Sequence, residues 1–265
     1  MNKMNNDTYK WDAELYQKSS FHQFQMGMMA LERLNPQDGE RILEIGSGNA
    51  MVSIELAKKI PNGHITAIEI SKEMCDQAHE NLGKMEISNI EIICKDGLEI
   101  NFYNEFDAVF SNSAIHWIQN LDQMYELIYN SLKPNGRILI QTGLREMGPI
   151  VLIFAQLIRL KTYREYISKL AMPWRFQTLK ENNKMLEKCN FRDIVLERFD
   201  YTMKFEDKND AINYWLAAGL VPFLSVIPDD LKEEFIEKFR ELYFAKMADT
   251  PLEYTMARLF IKAKK

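Results

Sequence analysis

The segment Arg41–Ala50 constrains this chain more than any other: an apolar run, Arg41-Ile42-Leu43, reaches an acid at Glu44, turns through Gly46 and Gly48, and leads into the helical pattern Met51–Ala57. Glycine allows positive φ and a close backbone approach that a Cβ would obstruct, and a helix N-terminus presents free N–H groups beyond such a turn. The pattern therefore predicts an α/β unit that brings a ligand to the carboxyl edge of its first strand. A dinucleotide turn would need G-x-G-x-x-G, but Met51 occupies the third glycine position and Ala50 precedes it. Glu44 would also repel a polyphosphate, whereas it attracts a positive group.

A nucleoside with a cationic end meets these conditions, and S-adenosylmethionine is such a ligand. Three further strand ends fall where it needs them. His64–Glu69 reads as a second strand ending in a carboxylate about 20 residues past Gly46, the usual place for an acceptor of ribose hydroxyls. Two hydroxyls offer two donors, and Glu69 is expected to accept both. Ile90–Gly97 reads as a third strand ending at Asp96, an acceptor for the adenine amine, and Ile70 and Gly97 follow the two acids. Phe106–Asn112 makes a fourth, with Asn112 at its carboxyl end, the edge where open α/β sheets bind ligands.

With these residues the chain resembles the class I S-adenosylmethionine-dependent methyltransferases. Glu44-x-Gly46-x-Gly48, Glu69, Asp96, Ser111-Asn112 and the turn Leu132–Gly136 before Arg137–Ile140 stand in that family's order. Within it the chain is most similar to the trans-aconitate methyltransferase group and its relatives. That likeness lies in Trp11-Asp12-x-x-Leu15-Tyr16, in Ser111–Trp117, and in Trp215–Leu224 followed by a closing strand Arg258–Ile261. The resemblance implies a doubly wound Rossmann-like sheet, mostly parallel with an antiparallel last strand, plus helical lid and cap insertions. It also implies S-adenosylmethionine as cofactor, S-adenosylhomocysteine as product, a small-molecule substrate and no metal, and it places Trp11 and Tyr16 near the cofactor.

The expected organisation is a helical lid over 1–35, a cofactor-binding core over 36–145 and a helical cap over 146–190. Residues 191–265 then complete the sheet, with a helical insertion at 207–248. The cap carries Met147, Phe154, Tyr163, Tyr166, Met172, Trp174 and Phe176, the composition of a substrate roof. Lys+Arg 33 against Asp+Glu 38 leaves a net charge of −5, so no global positive field favours nucleic acid. Cys75, Cys94 and Cys189 are widely spaced and read as reduced core thiols rather than a disulfide frame or zinc site. The first residues hold no apolar leader, and the longest apolar run, 149–160, is too short to span a bilayer. A cytoplasmic protein without a membrane partner is expected, and its oligomeric state is left open. The fifteen methionines are read as core filling.

Methyl transfer from a sulfonium requires alignment more than activation. A carboxylate acceptor is ionised at neutral pH and needs no base, whereas an amine or phenol would call on one, with His116 the first candidate. The rival explanation of His116 is that it orients Asn112 or packs on Trp117. Tyr16 is the other candidate catalytic group. Arg145 and Arg175 are the choices for gripping a substrate carboxylate, with surface salt bridges as the alternative. His22 on the lid helix and Trp215 in the second insertion are further candidate substrate contacts, each with a packing alternative. The favoured reading is O-methylation of a trans-aconitate-like carboxylic acid. Alternatives are a malonyl group on a carrier protein, a polyketide or amine metabolite, or a non-catalytic nucleotide-binding protein of the same fold.

Overall fold

The computed structural model describes residues 11–146, 148–168, 170 and 172–265. Two helices open it, α1 (Ala13–Ser19) and α2 (Phe21–Leu34), followed by β1 (Arg41–Ile45), α3 (Met51–Lys59), β2 (His64–Glu69), α4 (Lys72–Lys84) and β3 (Ile90–Cys94). Then come β4 (Phe106–Asn112), α5 (Leu121–Ser131), β5 (Leu132–Gly143), α6 (Pro149–Arg159), α7 (Lys161–Ile167), α8 (Leu179–Lys188) and β6 (Arg192–Lys204). The chain finishes with α9 (Lys208–Tyr214), α10 (Val221–Leu224), α11 (Asp229–Lys246) and β7 (Glu253–Lys264).

The seven strands form one sheet in the order β3-β2-β1-β4-β5-β7-β6. β1 to β5 pair in parallel, and β7 inserts antiparallel between β5 and β6. This is the doubly wound sheet with an antiparallel last strand. Central parallel strands are covered on both faces, which is why β1 and β2 are apolar runs rather than alternating ones. One face is sealed by α2 and α3, where Ala30, Leu31 and Leu56 meet Phe110, Leu139 and Phe260. The other is sealed by α5 and α8, where Tyr125, Ile128 and Leu186 meet Leu43, Ile140 and Ile261. A third apolar cluster joins α6 and α7 to α9, α10 and α11 through Phe154, Tyr163, Phe223, Phe235 and Phe239. The cap and the second insertion thus share one core above the strands' carboxyl edge.

Three boundaries depart from the sequence reading. The lid expected over 1–35 is two helices, broken at Ser20, and its first ten residues lie outside the described residues. The Leu132–Gly136 turn is absorbed into β5: Leu132 pairs with Phe106 and Arg137 with Ala108, so the extra residues bulge, with Asn135 at φ 65°. The sequence shows two strand patterns, Ile194–Phe199 and Tyr201–Phe205, and the structure joins them in one continuous β6, because β7 offers unbroken pairing from Val195 to Lys204. Met147 lies outside the described residues.

Candidate active site

The strand order reverses beside β1, between β2 and β4, and a crevice forms outside the carboxyl ends at such a point. A cavity of about 780 Å³ occupies it. Its floor is the turn after β1. Gly46 and Gly48 take φ 75° and 55°, and a Cβ on Gly46 would lie 2.2 Å from the Cβ of Ala114. The backbone N–H groups of Gly46 and Ser47 donate to Ile68 O at 2.8 and 3.2 Å, and the Asn81 amide donates to Asn49 O at 2.9 Å. Ala50 is itself left-handed at φ 62°, so the position where glycine is frequent keeps the glycine conformation with an alanine in it.

Around this turn the structure gathers Glu44, Glu69, Ile70, Asp96, Gly97, Asn112, Trp11 and Tyr16 against one cavity. Glu44 is buried and its Oε2 has no hydrogen-bond partner among the described residues. Burial pushes its carboxyl up to about 7, and the nearby Glu69 carboxylate acts in the same direction. Asn112 donates to Gln23 O at 3.0 Å, which leaves its Oδ1 free in the cavity wall. Asp96 caps the short turn that follows β3 by accepting from Leu98 N at 2.9 Å. Trp11 packs edge-on against Trp117 at 5.3 Å and Tyr16 at 6.5 Å. The desolvated Tyr16 hydroxyl is held well above the usual phenol range, so it does not serve as a base near neutral pH.

Glu69 differs from the simple expectation. Its Oε2 accepts from Gly48 N, and its Oε1 from Ile70 N and Ser71 N, all at 2.9 Å. A carboxylate has about four lone-pair sites, so three are taken by the loop and about one remains. Glu69 can therefore take one further donor without releasing a backbone N–H, rather than both hydroxyls of a diol.

The candidate substrate residues separate. His116 lines the cavity, with Nδ1 3.0 Å from Thr142 Oγ1 and its ring 4.7 Å from Phe176. Burial, reinforced by the positive charge of Arg258, holds it well below the usual histidine value, so it is neutral at physiological pH. Trp215 lines the cavity from a π-helical turn, Trp215–Gly219, packed on Tyr214 and Tyr254 at 5.2 Å. Arg145 reaches the cavity wall, but its Nη2 is 2.6 Å from both carboxylate oxygens of Glu181. Arg175 is exposed, bonds Gln119 Oε1 at 3.0 Å, and is not part of the cavity. His22 is also outside it. Its nitrogens lie 3.2 Å from Tyr201 Oη and Lys204 O, tying α2 to β6, because the helical turn that aims Gln23 inward aims His22 at the far wall.

The buried guanidinium on the cavity lining belongs to Arg258, quoted above only as part of a closing strand. It is 4% exposed, and its Nη2 donates to Ser113 Oγ at 2.8 Å and Gln141 Oε1 at 2.9 Å. Among the described residues Nη1 has only the Met256 thioether at 3.5 Å, and Nε has no partner. Among the described residues no carboxylate pairs with it. Burial lowers its pKa to about 10, which still leaves it charged. Gln23, whose Oε1 is buried and unpartnered, faces the same space. A lone arginine within the apolar run Ala257–Ile261 was the signal in the sequence.

A family model described as a methyltransferase domain matches residues 36–219. The chain belongs to the class I S-adenosylmethionine-dependent methyltransferases. Among this methyltransferase's relatives, malonyl-acyl-carrier-protein O-methyltransferase of Priestia megaterium is 30% identical over 53% of the chain and 49% of the relative. The chain thus spans about half the length of that relative. Juvenile hormone acid O-methyltransferase of Bombyx mori is 24% identical over 86% of the chain and 84% of the relative. A phosphoethanolamine N-methyltransferase from Haemonchus contortus, solved with S-adenosylhomocysteine, superimposes with TM-score 0.63 at 21% identity, covering the whole chain and 59% of that protein. The YcgJ protein of Bacillus subtilis gives TM-score 0.64 at 15% identity, over 92% and 98% of the two chains. Both structural likenesses concern the fold alone.

In the methyltransferase the free Glu44 oxygen and the glycine cradle suit a ligand with a cationic end. Glu44 carries a proton below about pH 7 in the free protein, and a bound cation favours the carboxylate and lowers its pKa. Cofactor affinity is therefore expected to be flat above that value and to fall with acidification, approaching about tenfold per pH unit. Calorimetry from about pH 5.5 to 7.5, where the ligand's own amine stays largely protonated, reads this directly. Glu44→Gln should lessen the slope, leaving the part that belongs to Glu69, whose carboxyl burial also raises, and a flat wild-type profile would detach Glu44 from the cofactor. Among the described residues no helix is long and apolar enough to cross a membrane, and no group of three or more His, Cys, Asp or Glu is placed to hold a metal ion.

Proposed function

We propose that this methyltransferase O-methylates the carboxylate of a small-molecule acid. The observation that carries this reading is Arg258: a buried guanidinium in the cavity, held by neutral groups and, among the described residues, without a carboxylate partner. A buried charge lacking a counter-ion is costly, and an anionic ligand is what removes that cost. The relative named for juvenile hormone acid, aligned over most of both chains, supports the same chemistry.

S-adenosylmethionine supplies an activated methyl on a positive sulfur. Within the proposal, the Gly46–Gly48 turn and Glu44 seat its cationic end, Glu69 accepts one ribose hydroxyl, and Asp96 accepts from the adenine amine between Ile70 and Gly97. Trp11 and Tyr16 close that side. Arg258 orients the acid, with Gln23 and Trp215 bordering it. Holding acceptor and donor in line in a dry site is worth up to about 7–11 kcal/mol of barrier. No residue has to remove a proton, which agrees with a His116 kept neutral and a Tyr16 kept protonated.

Incubation with isotopically labelled S-adenosylmethionine and a panel of acids and amines, read by product mass, tests the reading: methyl esters are expected, and methylated amines without esters would refute it. The kcat profile for an acid should stay flat from about pH 6 to 9, since the nucleophile is ionised throughout and no side chain has to lose a proton. His116→Gln should keep most activity, whereas loss of a true base removes about 10²–10⁴. A second reading, a malonyl group on a carrier protein, is favoured by the name of the Priestia relative and keeps the same carboxylate chemistry at Arg258.

A further inference from the structure

We propose that the acceptor is a lipophilic monocarboxylic acid, with its single carboxylate at Arg258 and its hydrocarbon tail under the cap. This rests on the carboxylate reading and narrows it, because the cavity has an apolar roof for a tail and, among the described residues, Arg258 is its one lining guanidinium not already paired with an acid.

The roof on the acceptor side is a continuous apolar wall. Ile150, Phe154 and Ile158 descend from successive turns of α6, and Trp174 and Phe223 close the wall beside them. Phe154 stacks on Phe223 at 4.8 Å and 14°, and Trp174 lies 5.1 Å from Phe154 and 5.8 Å from Phe223. These rings are braced by the shared core of α6, α10 and α11, so the wall is built rather than incidental. Toward the mouth it continues in Val151 and Met172, which line the cavity yet are 41% and 57% exposed. Large apolar side chains left open at the rim of a cavity suit an apolar ligand entering there.

Charge gives the other half. Of the cations on the lining, Arg145 is held by Glu181, and its neighbour Glu146 adds a carboxylate that Arg198 neutralises. Lys95 stands beside Asp96 at the opposite, cofactor end. Among the described residues Arg258 is thus the one lining guanidinium not already paired with an acid. A tricarboxylate resembling trans-aconitate would bring two further charges against Phe154 and Trp174, where nothing compensates their desolvation. The same wall favours a hydrocarbon.

The test is methyl ester formation from butanoic, octanoic and dodecanoic acids, trans-aconitic acid and a long-chain amine, each with the whole chain and saturating S-adenosylmethionine. kcat/KM is expected to rise along the aliphatic series by about fourfold per buried methylene, the ratio corresponding to ~0.8 kcal/mol, and to exceed that for trans-aconitate throughout. Ala155→Phe, which fills the space beside Phe154, should lower kcat/KM for dodecanoic acid at least tenfold more than for butanoic acid, with cofactor affinity unchanged in calorimetry. Preference for trans-aconitate or butanoic acid, or an equal loss for both aliphatic acids in the variant, would overturn the proposal while leaving carboxylate methylation in place. Methylation of the amine and of no acid would overturn both.

Discussion

Arg258→Met is expected to lower kcat/KM for the acid by about 10²–10³-fold while leaving cofactor affinity within a few-fold. Methionine keeps an unbranched apolar stem among Ser113, Gln141 and Met256 but removes the charge. Deleting one partner of a buried charged pair costs ~2–5 kcal/mol in the complex. The same substitution should leave Tm unchanged or raised, because in the free protein that guanidinium is buried without a carboxylate partner among the described residues. Loss of activity together with retained or increased stability is the mark of a group kept for binding rather than folding. Lysine should rescue little, since a point charge cannot reproduce the fork that Ser113 and Gln141 hold. Michaelis constants, calorimetry and a thermal melt suffice. An Arg258→Met protein with wild-type kinetics on acids, or one whose cofactor affinity collapses in parallel, would remove Arg258 from the acceptor site.

Gly46→Ala is the second large effect, and it acts on the cofactor side. The new Cβ would stand 2.2 Å from the Cβ of Ala114 at a residue whose φ is 75°. Left-handed backbone costs an alanine ~1–2 kcal/mol, and the overlap adds ~1–3 kcal/mol or moves the loop after β4. That loop carries Ser113 and leads to His116, and the Gly46 N–H bond to Ile68 O aligns the whole turn. A Tm lower by about 5–10 °C is expected. S-adenosylmethionine affinity should fall at least a hundredfold, because the cradle and Glu44 shift together. An alanine variant that binds the cofactor normally would show that the close approach at Gly46 has no bearing on the site.

Much of the cofactor side was legible because it is local. A strand, an acid and two glycines, then acids at the next two strand ends, are short-range patterns, and parallel topology brings every such end to one edge. What neighbouring residues do to an acid is not local. Glu69 was legible as an acceptor, but not that Gly48, Ile70 and Ser71 take three of its lone pairs. Glu44 was legible as a negative group, but not that burial brings its carboxyl up to about 7.

Where the candidate acceptor residues lie is not local either. Arg145 and Arg175 drew attention by lying near β5 and Trp174, yet Glu181 holds the first and the second faces solvent. His22 sits one residue from Gln23, and the helical turn between them decides which enters the cavity. Arg258 comes from the last strand, which is antiparallel and inserted between β5 and β6, so its approach to Ser113 and Gln141 depends on pairing between segments more than a hundred residues apart. By itself the sequence determined the sheet, the family and the carboxyl edge at which the cavity lies, because those follow from periodicity and from side chains adjacent in the chain. Only the tertiary structure decided which charges are already paired and which face the cavity, because burial and ion pairing are properties of contacts between distant segments.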